Sequence, residues 1–260
     1  MSSGGDPWSH LRRFTDARIG LGRAGAGMPT REVLDFTFAH AMARDAVLTP
    51  LDWTGVETSI AALGFETVHA SSAVEDRAEY LRRPDLGRKL ATSSRDELTE
   101  LGRALKPKPD VAIMIGDGLS SKAITVNVAP FLSAFTPYIE KKSWTLTPVV
   151  LAHNARVALG DDVAASLGAK SVIVLIGERP GLSSPDSLGV YMTFQPRTGL
   201  KDADRNCISN IRVRGLSYGE AAYKLAWLLD QAFKRKLSGV NLKDEAGVGL
   251  EGKHGPELLT

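Results

Sequence analysis

The fold is decided by Val111-Ala112-Ile113-Met114-Ile115-Gly116-Asp117-Gly118. Five consecutive apolar residues are typical of a short strand covered on both faces, and Gly-Asp-Gly then ends the strand in a tight turn. A helical pattern follows from about Ser120 to Phe135. The order of strand, turn and helix predicts one unit of an α/β sheet.

The same pattern continues towards the C-terminus. A helix with Asp161 and Asp162 near its start and Gly168 at its end lies between apolar runs, and the capping box Ser217-Tyr218-Gly219-Glu220 opens a long last helix. The further predicted strands are Val149-Val150-Leu151, Val172-Ile173-Val174-Leu175-Ile176 and Val190-Tyr191-Met192-Thr193-Phe194. We therefore expect an α/β domain over residues 110–243, with a Rossmann-like, mostly parallel sheet and helices on both faces.

Residues 1–106 have a helical period instead and predict a mainly helical N-terminal arm and region. Thr30 is a candidate cap for a helix whose apolar residues recur from Val33 to Met42. Further helical segments are expected at Trp53–Leu63 and Val74–Arg82, and the capping box Ser94-Arg95-Asp96-Glu97 is expected to open a fourth. The prolines of Lys106-Pro107-Lys108-Pro109 mark the boundary, and glycine-rich residues 244–260 predict a flexible tail.

Composition excludes several classes of protein. Lys and Arg total 32 and Asp and Glu total 30, a net charge of +2 with both signs interspersed, so no nucleic-acid surface is indicated. A single cysteine excludes a disulfide framework, and no apolar run approaches the roughly 20 residues that span a bilayer. We expect a cytoplasmic protein with neither nucleic acid nor membrane as a partner.

Three stretches could carry a site. Gly20-Leu21-Gly22-Arg23-Ala24-Gly25 matches a dinucleotide fingerprint but follows no apolar strand, so a glycine-rich arm against a neighbouring chain is favoured over an NAD-dependent oxidoreductase. The turn Gly116–Ser120 fits an anion-binding or a purely structural role equally. The loop from Gly177 to Ser187 places Glu178, Arg179 and several hydroxyls after a strand's carboxyl end, where sites are expected.

Two strings in this region resemble the small, or light, subunit of ethanolamine ammonia-lyase. They are Gly177-Glu178-Arg179-Pro180-Gly181-Leu182-Ser183-Ser184-Pro185-Asp186-Ser187-Leu188-Gly189-Val190-Tyr191 and Asp204-Arg205-Asn206-Cys207-Ile208-Ser209-Asn210-Ile211. The resemblance extends through Ala17-Arg18-Ile19 and Gly22-Arg23-Ala24-Gly25, Ala43-Arg44-Asp45-Ala46-Val47 and Asp117-Gly118-Leu119-Ser120, and covers nearly all of residues 11–243.

The resemblance implies a subunit of a carbon–nitrogen lyase that converts ethanolamine to acetaldehyde and ammonia by radical chemistry. It implies adenosylcobalamin held between this chain and a large subunit in a hetero-oligomer, with cofactor contacts at Val157, Glu178 and Cys207. It assigns no catalytic residue and no metal ligand here. A location inside a bacterial microcompartment is left open.

Two further expectations accompany the resemblance. The sequence contains no Asp-x-His-x-x-Gly string, so no histidine is expected to replace the cofactor's own base on cobalt, and binding is expected to be base-on. The alternative of another class is a cobalamin-binding or carrier module without lyase activity. Cys207 could equally be a small buried apolar residue, since no histidine has the spacing of a paired base.

Overall fold

The computed structural model describes residues 8–247, which contain seven α-helices and six strands. The helices are α1 (Thr30–Leu48), α2 (Trp53–Ala61), α3 (Arg77–Arg82), α4 (Thr92–Ala104), α5 (Ser121–Lys142), α6 (Leu159–Leu167) and α7 (Tyr218–Arg235). The strands are β1 (Thr67–Ser71), β2 (Val111–Gly116), β3 (Val149–His153), β4 (Ser171–Gly177), β5 (Leu188–Phe194) and β6 (Asn206–Ile211).

All six strands form one sheet in the order β1-β3-β2-β4-β5-β6. The pairings β1–β3, β3–β2 and β2–β4 are parallel, whereas β5 runs antiparallel to both β4 and β6. The predicted α/β class and mostly parallel sheet are confirmed. The Rossmann-like description stays a prediction.

Helices cover both faces of the sheet, which explains why the central strands are continuous apolar runs. Ile113 and Leu175 pack into the core under α5 and α7, and Met114 and Val174 pack into the core under α4 and α6. Successive side chains of a strand point to opposite faces, so a strand buried on both sides needs apolar residues at every position. Every residue of β2 and of β4 is buried.

The two edge strands, β1 and β6, were missed by the sequence patterns. Strand β1 has mixed burial and lies within the region predicted to be mainly helical, yet it pairs with β3 along its whole length. Strand β6 corresponds to the polar stretch around Cys207 and pairs with β5. Edge strands are only partly covered, so they tolerate polar residues and lose the apolar signal.

The two predicted capping boxes have different outcomes. Ser217 caps α7 and exchanges hydrogen bonds with Glu220, as expected. The box at Ser94 was wrong, because α4 begins at Thr92 and Ser94 lies inside it. The Ser94 hydroxyl instead accepts a hydrogen bond of 3.0 Å from the Ser71 amide of β1, which fastens the helix to the sheet edge.

The N-terminal arm and the predicted tail lie at opposite ends of the described chain. Helix α1 buries only Ala46; Leu34, Phe36 and Phe38 are exposed, and Met42 and Val47 are half-buried. In the predicted tail, Asp244 pairs with Lys224 of α7 at 2.6 Å and Ala246 is buried, while residues 248–260 lie outside the described range. No described helix combines the length and apolar character needed to cross a bilayer.

Candidate functional site

The carboxyl ends of β2, β3 and β4 meet around a cavity of about 390 Å³. Strands β3 and β4 lie on opposite sides of β2, so the chain changes direction across the sheet at this point, which is where α/β sheets bind ligands. The cavity is lined by Tyr80, Gly118, Leu119, Arg156, Val157, Ile176, Gly177, Glu178, Arg179 and Tyr191. Two predicted site residues, Val157 and Glu178, therefore share one cavity.

Val157 lies in the segment between β3 and α6, and Asp117 holds that segment in place. The Asp117 carboxylate accepts hydrogen bonds from the amides of Asn154 at 3.2 Å and Ala155 at 3.0 Å. It also pairs with Arg77 at 3.3 Å. Burial raises the pKa of Asp117, and these donors oppose that rise. Asp117, the residue directly after β2, thus fixes the backbone that presents Val157.

Glu178 is oriented by two groups that use the same carboxylate oxygen. Its Oε2 accepts hydrogen bonds from the Ser187 hydroxyl at 2.5 Å and from the Asn210 amide at 3.3 Å. Its Oε1 accepts none from the described residues. A Cβ on Gly189 would lie 3.0 Å from this oxygen, so a larger residue there would press against the carboxylate. One acceptor remains available to a ligand.

The loop after Glu178 has the fixed backbone that its glycines and prolines predict. It joins antiparallel β4 to β5, and the amide of Glu178 donates to Ser187 O at 3.0 Å. Side chains of the β2–α5 junction and α5 hold it from below, since Ser120 Oγ donates to Pro185 O and Asn127 Nδ2 donates to Asp186 O, both at 2.7 Å. The loop is therefore closed at its two ends and anchored at Pro185 and Asp186.

Cys207 approaches the cavity through Tyr191. The two residues are partners across β5 and β6, and the Tyr191 hydroxyl interacts with the thiol. Although Cys207 is exposed as a residue, partial desolvation and the Glu178 carboxylate raise the pKa of its thiol. A protonated thiol is a poor nucleophile, so the geometry favours a contact role for Cys207.

Two other candidate stretches carry no ligand geometry. At the β2–α5 turn, the Gly118 amide donates to Asp117 Oδ1 and the Leu119 amide donates to Gly177 O, so neither is free for an anion. Gly20, Gly22 and Gly25 all have positive φ, but a short 3₁₀ helix at Ser9–Phe14 precedes them rather than a strand. Within residues 8–247, no cluster of three acidic, histidine or cysteine side chains could hold a metal ion.

Comparison with known proteins assigns the chain to a family. The sequence-family model of the ethanolamine ammonia-lyase light chain matches residues 5–243. The chain belongs to the ethanolamine ammonia-lyase light-chain family. The match includes the cavity, the Gly177–Ser187 loop and strand β6.

Curated relatives agree with this light-chain assignment. The ethanolamine ammonia-lyase small subunit of Pseudomonas fluorescens SBW25 is 49% identical over 254 residues, covering 98% of this chain and 92% of the relative. That of Pseudomonas putida KT2440 is 51% identical over 243 residues, covering 94% and 89%, and that of Pseudomonas aeruginosa UCBPP-PA14 is 49% identical over 253 residues, covering 97% and 93%. These relatives are named as subunits of a carbon–nitrogen lyase, and the name small subunit implies a larger partner.

The structure adds residues that sequence reasoning did not single out. Tyr80, Arg156 and Tyr191 line the light-chain cavity beside the predicted residues. Tyr80 comes from α3, about 75 positions before Val157, and no local pattern connects the two. Two signals in the sequence could have found the other residues: Tyr191 ends the first string that resembles the family, and Arg156 directly precedes Val157.

Proposed function

We propose that this chain is the small subunit of an adenosylcobalamin-dependent ethanolamine ammonia-lyase and that it binds and positions the cofactor at the interface with the large subunit. The observation that carries the proposal is the shared surface of Val157, Glu178 and, through Tyr191, Cys207. The proposed reaction is the one that the resemblance implies, the conversion of ethanolamine to acetaldehyde and ammonia.

The residues present fit the chemistry of a corrin ring. Its rim carries primary amides whose N–H groups need acceptors, and Glu178 Oε1 offers a carboxylate oxygen that is not engaged in the protein. Its face is apolar and suits Val157, the Tyr191 ring and a protonated thiol. When bound, the cofactor supplies the radical chemistry, and the residues of this chain bind and orient it.

The proposal includes base-on binding, which the resemblance implies. The described residues that line the cavity include no histidine, so this surface offers no imidazole to replace the cofactor's own base on cobalt. His153 points elsewhere and packs against Trp53, with ring centroids 4.4 Å apart.

A second surface supports assembly with a large subunit. Helix α1 exposes Leu34, Phe36 and Phe38, with 63%, 43% and 69% of each residue open to solvent. Leu34 and Phe38, four positions apart, share one side of α1, whereas Phe36 lies on the other side, and large exposed apolar side chains of this kind mark a protein interface. The large subunit would cover these side chains in the complete enzyme.

The experiment is ammonia release and cofactor binding by this chain coexpressed with a large subunit. We expect turnover of ethanolamine only in the mixture with adenosylcobalamin. Glu178→Gln should weaken cobalamin binding about 10-fold, since a hydrogen bond to a charged acceptor contributes about 1.5 kcal/mol or more. Cys207→Ala tests the proposed contact between the Cys207 thiol and the cofactor.

Glu100→Gln is the matched control, because Glu100 is exposed on α4 away from the cavity lining, and it should leave binding unchanged. A folded complex that binds cobalamin and releases no ammonia would indicate the carrier module instead. A complex that binds no cobalamin would contradict the cofactor, and histidine nitrogen coupled to cobalt in the electron spin resonance spectrum would contradict base-on binding.

A further inference from the structure

Two arginines in the cavity have no negative partner. Among residues 8–247, neither Arg156 nor Arg179 lies within 4.0 Å of a carboxylate oxygen. The cavity's one carboxylate, Glu178, accepts hydrogen bonds from the neutral Ser187 hydroxyl and Asn210 amide and keeps its charge. With two guanidinium groups and one carboxylate, the cavity lining has a net positive charge, and neither arginine is paired with that carboxylate.

This arrangement differs from that of the neighbouring cavity of about 490 Å³, which lies on the other side of the same β3–α6 segment. Four aspartates line that cavity together with its three cations, so it does not favour an anion. The four are Asp85, Asp161, Asp162 and Asp202.

Arg156 is also held in position with part of its donor capacity unused. Its guanidinium lies 4.1 Å from the centre of the Tyr80 ring, and its Nη2 donates to Tyr80 O at 3.0 Å. Its Nε is buried and has no hydrogen-bond partner. Arg77 lies 4.6 Å from the same ring but pairs with Asp117, so only Arg156 lacks a counterion there.

A guanidinium without a counterion favours an anionic acceptor, and an arginine fixed in position matches the geometry of a phosphate group. Base-on cobalamin carries one such group, the phosphodiester of its nucleotide loop. We propose that Arg156, assisted by Arg179, binds this phosphodiester and thereby selects complete cobalamin over corrinoids without the loop. The proposal rests on the proposed cofactor function and names a subsite within the same cavity.

The experiment compares two ligands on the complex with the large subunit: adenosylcobalamin, and adenosylcobinamide, which lacks the phosphate and the base. Binding is measured by equilibrium dialysis. Arg156→Gln should lower the affinity for adenosylcobalamin about 10-fold and change that for adenosylcobinamide less than about twofold. Arg179→Gln, in an exposed loop position that folding does not depend on, should show a weaker loss with the same selectivity.

The controls separate this proposal from the cofactor proposal. Glu178→Gln should weaken both corrinoids equally, and Arg103→Gln, exposed on α4, should weaken neither. Equal losses for both ligands in the two cavity arginine variants, or no loss in either, would overturn the phosphate subsite alone. A wild-type complex that binds neither corrinoid would overturn the cofactor function as well.

Discussion

At the scale of single residues, the most consequential contact outside the cavity is the ion pair of Arg205 and Asp161. Both side chains are almost completely buried, at 2% and 3% exposure. Burial raises the pKa of Asp161, and the adjacent Arg205 opposes that rise. The pair fastens β6 to α6, and Arg205 immediately precedes the strand that carries Cys207.

We predict that Arg205→Met lowers the free energy of unfolding by about 3 kcal/mol, because it leaves a buried carboxylate without its partner. Urea denaturation of the chain checks this value. Arg95→Met is the matched control, since Arg95 pairs with the buried Asp162 but is itself 43% exposed, and it should cost about 1 kcal/mol. Equal losses of unfolding free energy in the two variants would contradict the larger contribution predicted for the fully buried Arg205–Asp161 pair.

Single residues also show what the sequence could predict of the site. Val157 and Glu178 follow strands whose carboxyl ends share one edge, so their proximity follows from the predicted sheet. Tyr80 and Asn210 contribute through α3 and the end of β6, which approach the site only in the folded chain. Their roles depend on tertiary contacts that no local spacing encodes.

At the scale of elements, burial decided which strands could be predicted. Strands β2, β3, β4 and β5 are covered on both faces and have nearly continuous apolar sequences. The two edges, β1 and β6, carry polar residues where they face solvent and were missed. The helical periodicity predicted that a helix is present more accurately than it predicted where the helix begins. Ser94, expected to cap α4, lies inside it.

Helices α5 and α7 are tied together by Asp230, which gives a prediction at this scale. Its carboxylate pairs with Lys142 of α5 at 3.1 Å and with Lys234 at 2.8 Å. Desolvation would raise the pKa of Asp230, but the two lysines outweigh it and the net pKa is lowered. The folded state therefore favours the charged form.

The sign of the effect follows from that lowered pKa. The stabilisation is complete above the unfolded-state pKa of about 3.9 and disappears as the pH falls through the lower folded-state value. Asp230→Asn should thus reduce stability by about 1 kcal/mol at pH 7 and by much less at pH 2 to 3. Thermal unfolding of the wild-type protein and the Asp230→Asn variant between pH 2 and pH 7 measures this change in stability. A stability difference that does not depend on pH would contradict the prediction.

At the scale of the whole molecule, the sheet crosses the boundary that the prolines suggest. Strand β1 lies before Lys106 in the sequence and pairs with β3, which lies after it. Helix α4, also from the first region, packs against α6. The α/β class could be predicted because the apolar sequences of the central strands indicate it. The sequence did not predict that the first hundred residues contribute a strand to the sheet, because β1 is an edge strand without a continuous apolar run.

The exposed phenylalanines of α1 give a prediction for the isolated chain. Replacing Phe36 and Phe38 by serine should raise the solubility of the chain alone several-fold and shift its melting temperature by less than about 2 °C, since both residues point to solvent. The same double variant should copurify poorly with a large subunit. Unchanged solubility together with normal copurification would exclude these phenylalanines from the interface.

The parallel pairing of β1 with β3 also sets the order in which the chain can fold during synthesis. Val149, the partner of Thr67, is made 82 residues after it. At roughly 5 to 20 residues per second, β1 waits about 4 to 16 s on the ribosome before its neighbour exists. Throughout that interval the nascent chain presents an unpaired strand edge beside the apolar α1, which is the form of the protein that a chaperone would meet.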